Sequence, residues 1–379
     1  MSVKRQQFSI KDLAELNQQL STPIDIDLKR PQQKSYPPIH GLYLLLRATG
    51  MVKIKAKGKK QYLVLNAPVY EVWQQFNPTE RYCTLLEAWL VRSHEEMLGE
   101  HQGGHFTEGD RCLQSWQRIT SKQKHTFNQK NAVQDHFNYY PGLHNLVLME
   151  MFGLLKITTG KPETGKGWWI KSIEALPLGN PILSLLKNAY IANGMVWLSE
   201  VDPSVPYDEL QDILQPYFPE WQKTLVLPSS GFRPGRHIFK VSLGKVWRRI
   251  ALSGEATLED LSSLILTAVD FDSDHLDSYT YTNDLGREVK VLHPYAEGDL
   301  STDEVKIGSL PLSEGSVMEY LFDFGDCWQF QVQLETIELN FSPDSSAQKT
   351  KKAKKKKTQQ PIGEIIEVHG EAPAQYPSW

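Results

Sequence analysis

The sequence predicts an α+β protein whose helical N-terminal part, with tandem winged-helix-like modules, precedes a compact α+β domain. Two observations carry this prediction. Two apolar helical stretches in the first half each end at a glycine and run directly into alternating strand residues. After residue 236, short alternating stretches surround one amphipathic helix, a pattern typical of a β-hairpin, a helix and an antiparallel sheet.

The composition of the chain limits the classes of protein to which it can belong. The chain has 379 residues, of which 40% are hydrophobic and 23% charged, as expected for a globular chain with two or three domains. No stretch approaches the roughly 18 apolar residues of a membrane-spanning helix, and the first residues lack the apolar core of a signal peptide. We therefore expect no membrane association and a cytoplasmic location. Three separated cysteines without a C-x-x-C motif exclude a disulfide framework and a cysteine zinc ribbon.

Charge is distributed unevenly along the chain. Residues 1–130 carry a net charge of +7, whereas residues 236–340 carry −11. A basic front and an acidic back indicate separate domains with separate partners. We expect nucleic acid as a partner of the basic part and a protein as a partner of the acidic part.

Breaks in the pattern predict the domain boundaries. Residues 227–235 contain two prolines and two glycines and interrupt both helical and strand periodicity. Residues 341–360 include seven lysines, whose mutual repulsion predicts a disordered linker. The predicted organisation is one winged-helix-like module with a basic wing (residues 1–130), a second such module (131–227), an α+β domain (236–339), the lysine-rich linker (341–360) and a short C-terminal segment (361–379).

The two predicted modules share one plan. An apolar helix runs to Gly50 and a second runs to Gly153, and each glycine can adopt the left-handed conformation that ends a helix. Two strands follow each glycine and form a hairpin, as in the closing half of a winged helix. Between the modules, a further helix is predicted with Thr79 as its N-cap.

The predicted C-terminal domain begins with strands on either side of Gly244-Lys245, which reads as a two-residue hairpin turn. Thr257 is the expected N-cap of the following helix. Strands near 278–282 and 288–292 come next.

A last hairpin has a register that its apolar residues determine. A turn at residues 324–326 pairs Phe322 with Trp328, Tyr320 with Phe330 and Met318 with Val332, which gathers the apolar side chains on one face. The opposite face then presents Glu319, Gln329 and Gln331 to solvent.

Several of these stretches together resemble the plasmid pRiA4b ORF-3-like family. The similar residues lie at 245–250, 258–261, 271–276 and 322–328, and include Trp247, Arg248, Arg249, His275, Asp323, Gly325, Asp326 and Trp328. The resemblance covers about residues 236–339. It implies a compact α+β domain of unknown function that occurs on plasmids and beside transposable elements.

The strongest functional signal is a run of lysines in the first predicted hairpin. Alternating lysines on a strand can follow a phosphate backbone, whereas the structural alternative is a solvated edge strand protected from aggregation. The residues concerned are Lys53, Lys55, Lys57, Lys59 and Lys60.

An acidic loop after the predicted helix is a weaker signal. Its side chains could hold a divalent cation, but the loop departs from a calcium-binding motif at its sixth and twelfth positions, where His275 and Tyr281 stand. The candidate ligands are Asp270, Asp272, Asp274 and His275. A metal site of the nuclease type would require this loop to meet Asp323 and Asp326 in space.

These observations favour an uncharacterised mobile-element-associated protein that acts as a non-enzymatic nucleic-acid-binding or regulatory adaptor. No cofactor motif is present, and no catalytic residue can be named. Two alternatives stay open: a metal-dependent phosphoryl-transfer enzyme that uses the C-terminal aspartates, and an adaptor that binds only proteins.

Overall fold

The computed structural model describes residues 6–57, 60–99, 108–120, 123–127, 133–192, 208–227, 231–298, 300–339 and 362–376. The chain divides into two compact units, Met1–Leu227 and Pro228–Trp379. Helices dominate the first unit, and the described part of the second contains an antiparallel sheet of seven strands. The α+β fold class predicted from the sequence is confirmed.

The N-terminal unit combines helices with two small sheets, one of two strands and one of three. In its described residues the helices are α1 (Ile10–Gln19), α2 (Pro37–Ala48), α3 (Ala67–Gln74), α4 (Pro78–Glu87), α5 (Glu108–Thr120), α6 (Val133–Tyr139), α7 (Leu143–Met151), α8 (Gly179–Ala192) and α9 (Asp208–Leu214). The strands are β1 (Val52–Lys57), β2 (Lys60–Leu65), β3 (Lys124–Thr126), β4 (Leu155–Gly160) and β5 (Trp169–Ala175). None of the helices described in either unit is long and apolar enough to cross a membrane.

The helix, glycine and hairpin order occurs at both predicted positions. Gly50 follows α2 with φ of 67°, and Gly153 follows α7 with φ of 73°. Each glycine therefore has the left-handed backbone that lets the chain reverse into a strand. The second hairpin has an additional strand, because β3 pairs with β5 to give the order β3-β5-β4. Membership of the winged-helix class stays a prediction.

The N-cap predicted for α4 was wrong by two residues. Asn77, not Thr79, caps this helix: its Oδ1 accepts the Glu80 N–H at 2.8 Å, and Glu80 Oε2 accepts the Asn77 N–H at 3.0 Å. Pro78 occupies the first helical position, where its fixed φ and missing N–H are tolerated. Thr79 instead donates its hydroxyl to Glu220 at 3.0 Å.

The C-terminal unit is built on a sheet with the order β12-β7-β6-β11-β10-β8-β9 in the described residues. Thr257 and Asp260 form a capping box at the start of the helix, as predicted for Thr257. The elements are β6 (Arg236–Leu243), β7 (Val246–Ser253), α10 (Leu258–Val269), β8 (Asp277–Thr282), β9 (Glu288–Leu292), β10 (Val317–Phe322), β11 (Trp328–Glu338) and β12 (Gly363–His369).

The register predicted for the last hairpin is confirmed. Strands β10 and β11 pair Phe322 with Trp328, Tyr320 with Phe330 and Met318 with Val332. These side chains join α10 in one apolar core, while Glu319, Gln329 and Gln331 are exposed on the other face. Burial of one coherent face selected this register, because a shift by one residue would have turned the aromatic rings to solvent.

The sheet has a member that the sequence analysis set apart. Strand β12 comes from the segment 361–379, treated there as a short separate piece, and it pairs antiparallel with β7 at the edge of the sheet. The predicted disordered linker, residues 341–360, lies outside the described residues.

The two helix-ending glycines generate a stability prediction. A Cβ at Gly50 would lie 2.5 Å from Leu227 Cδ2, whereas at Gly153 the nearest atom would be 3.9 Å away. We expect Gly153→Ala to lower the free energy of unfolding by roughly 1–2 kcal/mol through backbone strain alone, and Gly50→Ala to lower it further. Urea denaturation of both variants measures the difference.

Gly167→Ala is the matched control, because a Cβ there meets only Leu28 Cδ1 at 3.8 Å. Its effect should stay within about 0.5 kcal/mol. Equal stabilities of the Gly50 and Gly167 variants would contradict the role assigned to the left-handed turn.

Candidate functional site

The basic hairpin β1–β2 carries its lysines in register. Lys53 is opposite Val64, Lys55 is opposite Tyr62, and Lys57 is opposite Lys60. Alternate residues of a strand share one face with the residues directly opposite them, so these positions form one line along the hairpin. Lys55 is exposed, Lys53 is half-buried, and Tyr62 is 46% exposed on the same face. Lys59 lies outside the described residues.

The base of this hairpin is held to the end of α2. Asn66 donates its backbone N–H to the Met51 carbonyl at 2.8 Å and its side-chain amide to the Gly50 carbonyl at 2.9 Å. Met51 and Val52 are buried. The lysine face therefore projects from a hairpin whose two ends are fixed by the turn at Gly50.

The acidic loop of the C-terminal unit follows α10 and contacts the end of the chain. Asp270 is the left-handed C-cap of α10, with φ of 59°. The backbone N–H of Asp272 donates to Gln375 Oε1 at 2.6 Å, and the Gln375 amide donates to the Asp272 carbonyl at 3.4 Å. Gln375 is buried, and its side-chain amide forms the two hydrogen bonds with the backbone of Asp272 that a neighbouring strand would form.

Asp274 and His275 lie between this chain end and the last hairpin. The Tyr376 hydroxyl donates to Asp274 Oδ2 at 2.9 Å, and His275 Nε2 is 3.7 Å from Asp274 Oδ1 and 3.4 Å from Asp323 Oδ2. The hydrogen bond from Tyr376 lowers the pKa of Asp274. Partial desolvation, and then the nearby carboxylates, raise the pKa of Tyr376 to about 12.

Asp323 and Asp326 have different roles in the turn between β10 and β11. Asp323 is buried with φ of 55°, and its Oδ1 accepts the backbone N–H groups of Gly325 at 2.8 Å and Asp326 at 3.3 Å. Its carbonyl accepts the Cys327 N–H at 2.7 Å. Asp326 is exposed at the tip. The structure thus brings Asp274, His275 and Asp323 together, with Asp323 engaged in forming the turn.

Metal coordination has no geometric support in the part of the chain that the structure describes. No group of three or more His, Cys, Asp or Glu side chains there has an arrangement that could hold a metal ion. The side chain of Asp274 is directed to Tyr376, and Asp272 contributes backbone groups to Gln375. In the structure, this loop forms hydrogen bonds with Gln375 and Tyr376.

The strand Trp247-Arg248-Arg249 also contacts the chain end. Arg248 is 4% exposed; its Nε donates to the Ala268 carbonyl at 2.7 Å, and its Nη1 donates to the Trp247 and His369 carbonyls, both at 2.9 Å. Arg249 forms ion pairs with Glu335 and Glu367. These contacts join β7 to α10, β11 and β12.

Trp247 has neighbours on both sides of its ring. The His369 ring stacks on it with 5.0 Å between centroids, and Lys240 Nζ lies 4.8 Å from the indole centroid. His369 belongs to β12 and Lys240 to β6, which flank β7 on opposite sides. The Trp247 ring is thus engaged with His369, Lys240 and Arg249 within the sheet.

Two sets of residues received no structural role in the sequence analysis. The first is Gln375 and Tyr376, together with β12; the β-branched residues of Glu364-Ile365-Ile366-Glu367-Val368 were a usable strand signal. The second is a buried polar network in the N-terminal unit. Burial by itself raises the pKa of Glu108, but hydrogen bonds from His144 and Asn145 outweigh it and the pKa is lowered. Nothing in the local sequence indicates that α5 and α7 bring these groups together.

The hydrogen bonds of Arg248 lead to a second stability prediction. We expect Arg248→Met to lower the free energy of unfolding by roughly 2–4 kcal/mol, because it removes the donor to three carbonyls in a buried site. Arg249→Met is the control, and we expect a smaller loss because its ion pairs lie near solvent. Urea denaturation that gave equal losses for the two variants would refute the distinction.

Tyr376→Phe should raise the pKa of Asp274 towards its ordinary value, because the donated hydroxyl proton is removed. Since the folded-state pKa is lowered, the hydrogen bond stabilises the folded chain above the ordinary carboxyl pKa, and this contribution is lost as the pH falls through the folded-state value. Carboxyl ¹³C NMR titration measures the shift. Tyr295→Phe, at a tyrosine that is 88% exposed, should leave the pKa of Asp274 unchanged.

Comparison with known proteins finds a family model that is similar to the C-terminal unit. The family model described as "Plasmid pRiA4b ORF-3-like protein" matches residues 239–368, and so extends beyond the predicted end of the resemblance into β12. A crystal structure of a protein of unknown function from Methanosarcina mazei is 27% identical over 31% of this chain and 66% of that chain, with a TM-score of 0.26. A search of curated proteins gave no match. Residues 239–368 are therefore similar to the plasmid pRiA4b ORF-3-like family, as the resemblance carried by Trp247, Arg248, Arg249, His275 and Asp323 predicts.

Proposed function

We propose that this protein is a non-enzymatic nucleic-acid-binding adaptor whose β1–β2 hairpin contacts the phosphate backbone. The observation that carries the proposal is the strand register, in which Lys53, Lys55 and Lys57 occupy alternate positions and Lys57 is opposite Lys60. Alternate residues of a strand are roughly 6.5 Å apart. One strand of a duplex presents a phosphate about every 3.4 Å along its axis, so successive lysines can meet every second phosphate.

The aromatic neighbour on this face extends the proposal to single strands. Tyr62 is opposite Lys55 and is 46% exposed. An exposed ring beside cationic side chains can stack on an unpaired base while the lysines neutralise the backbone. We therefore expect the hairpin to bind single-stranded as well as duplex nucleic acid, with little dependence on base sequence.

The distribution of charge along the chain favours the N-terminal residues as the site that binds a polyanion. Residues 1–130 carry +7, whereas residues 236–340 carry −11 and would repel nucleic acid. In the proposed arrangement, the two helix–glycine–hairpin repeats are winged-helix-like modules, and the acidic domain engages a protein partner. The resemblance of that domain to its family is the basis for expecting a mobile-element context.

The test is to replace Lys53, Lys55 and Lys57 with glutamine together and to measure binding by fluorescence anisotropy. Duplex DNA, single-stranded DNA and RNA are titrated across a salt series. We expect the variant to bind each ligand at least about tenfold more weakly and the slope of log K against log salt to fall by about 2 to 3, since each lost phosphate contact releases about one counterion fewer.

The matched control replaces Lys156, Lys166 and Lys171, which are exposed in and between the strands of the β4–β5 hairpin, with glutamine. It makes the same change in net charge at a different place. Equal loss of affinity in both triple variants would leave only a non-specific charge effect and would overturn the hairpin proposal. Loss of labelled strand on addition of Mg²⁺ or Mn²⁺ would instead favour phosphoryl-transfer chemistry, and no binding at all would favour an adaptor for proteins.

A further inference from the structure

Two histidines meet inside the N-terminal unit, where α2 packs against α7. His40 of α2 is 3% exposed, and its ring lies 5.1 Å from the ring of His144 on α7, with 80° between the ring planes. The two helices are close together here, because a Cβ at Gly41 would lie 3.2 Å from the His144 carbonyl oxygen. Both histidines stand on helices and not on the β1–β2 hairpin, so their role is independent of nucleic-acid binding.

The second histidine is oriented by a buried carboxylate. His144 Nε2 lies 3.3 Å from Oε2 of the buried Glu108, and Asn145 donates its side-chain amide to the same oxygen. An ionised carboxylate accepts hydrogen bonds and does not donate them. The proton between the two groups therefore belongs to Nε2 of His144, and Glu108 fixes the orientation of this ring beside His40.

The position of the proton on His40 follows from a neighbouring glutamine. The Oε1 atom of the buried Gln33 accepts the backbone N–H of Phe8 at 2.9 Å. This contact sets the orientation of the Gln33 amide, whose Nε2 lies 3.3 Å from His40 Nδ1. Because an amide nitrogen only donates, Nδ1 is the acceptor. His40 is therefore neutral, with its proton on the other ring nitrogen.

A proton added to His40 disrupts this arrangement. The new N–H on Nδ1 would point at the NH2 group of Gln33, so that two donors would face each other. Gln33 could turn its oxygen towards His40, but its NH2 group would then face the Phe8 N–H. One proton thus removes a hydrogen bond at one end of Gln33 or at the other, in a buried site where an unpaired donor is unfavourable.

The part of the chain that depends on this glutamine buries little of its own surface. We refer to residues 6–19, which include α1, as the N-terminal stretch. Leu13 is the one residue of α1 that is buried, and it packs on Tyr36 and Ile39. The helix therefore rests on the unit through a narrow apolar contact, which is typical of elements that open without unfolding of the whole domain.

Polar contacts hold the residues that precede α1. The Tyr43 hydroxyl donates to the Gln6 carbonyl at 2.6 Å, and Phe8 donates to Gln33 as described above. Gln6 has φ of 52°, a left-handed backbone that non-glycine residues rarely adopt. The start of the N-terminal stretch is therefore kept in place by specific hydrogen bonds, and the one to Gln33 depends on the charge of His40.

We propose that Gln33, His40 and His144 form an acid-sensitive latch, which holds the N-terminal stretch on the unit and releases it when His40 is protonated. In the closed state the proton would face the Gln33 donor and the His144 ring. In the released state Gln33 no longer has to accept the Phe8 N–H, and its oxygen is free to turn towards the His40 proton. Protonation therefore favours release.

The pH range of the response follows from the pKa of His40. Burial lowers this pKa well below its ordinary value of 6.5, and His144 and Lys34 lower it further. Since the folded-state pKa is lowered, the released state binds the proton more readily. The latch holds fully above pH 6.5 and weakens by up to about tenfold for each pH unit as the pH falls from 6.5 towards the folded-state value.

Other charged groups lie on the elements around His40. They are Lys11, Asp12 and Glu15 on α1, Lys34 beside Gln33, Arg47 on α2, Glu87 and Arg92 at the end of α4, Glu95, Glu108 and Arg111 near α5, and His144 on α7. Arg92 pairs with Glu87, and Arg111 pairs with Glu95. Within this set, His144 and Lys34 affect the pKa of His40, and both oppose its protonation.

Hydrogen exchange of the full-length chain, followed by mass spectrometry, tests the latch. The protection of the α1 amides is measured at two pH values and corrected for the intrinsic exchange rate at each. We expect the protection factors to fall about thirtyfold from about pH 7.5 to about pH 5.0, because the released state takes up one proton with the ordinary histidine pKa.

Two substitutions separate the effect of this proton from general acid destabilisation. His40→Asn offers an amide oxygen near the position of Nδ1 and cannot titrate, so the α1 protection should change by less than about threefold over the same pH range. Gln33→Glu provides a carboxylate that can accept from both the Phe8 N–H and a protonated His40. In this variant the protection should rise as the pH falls.

His136→Gln is the matched control, because His136 is an exposed histidine of the same unit, and the variant should keep the full pH response. Equal pH responses of the native chain and the His40 and Gln33 variants would overturn the latch. Unchanged α1 protection of the native chain between the two pH values would overturn it as well. Should His40→Asn fail to fold, Gln33→Glu decides, since its expected response is opposite in direction to general acid destabilisation.

Discussion

The Arg248 guanidinium organises the C-terminal unit, because it is almost fully buried and hydrogen-bonds to the backbone of three elements. A buried cation is tolerated only where its donors meet acceptors, and here those acceptors are carbonyls at the end of α10, on β7 and on β12. The same side chain therefore sets the position of the last turn of the helix and of the edge strand. The apolar core beneath the sheet provides burial, and Arg248 determines how the pieces at one end of that core are joined.

The family motif has a physical interpretation in this arrangement. Trp247 and Arg249 interact with His369 and Glu367 across the β7–β12 pairing, and Asp272 and Asp274 accept or donate hydrogen bonds with Gln375 and Tyr376. Asp323 shapes the last hairpin through its bonds to backbone N–H groups and approaches His275. The acidic loop, which in sequence suggests a cation site, is thus part of a hydrogen-bonded surface that receives the C-terminal segment.

The N-terminal unit has a different physical basis. Its hairpin is positioned by a helix that ends at a left-handed glycine, and its lysines are placed in one line by strand register. The unit also buries the ion pair of Arg92 with Glu87, and His144 Nε2 lies 3.3 Å from the buried Glu108 Oε2, so its helices are joined by specific polar contacts as well as by apolar packing. The two units also differ in charge, because residues 1–130 carry a net charge of +7 and residues 236–340 carry −11.

Local pattern alone determined much of this protein. Periodicity and capping residues predicted α10 with its Thr257 cap, the hairpin at Gly244-Lys245, and the pairing of Tyr320 with Phe330, because each depends on neighbours in sequence or on burial of one face of a single hairpin. The left-handed turns at Gly50 and Gly153 could be predicted for the same reason. Only the tertiary structure decided that β12 returns to β7, that Gln375 meets Asp272, and that Glu108 meets His144. Those contacts join residues far apart in the sequence. Local sequence preferences do not determine which distant strand edge, backbone group or histidine will pair with a given polar side chain.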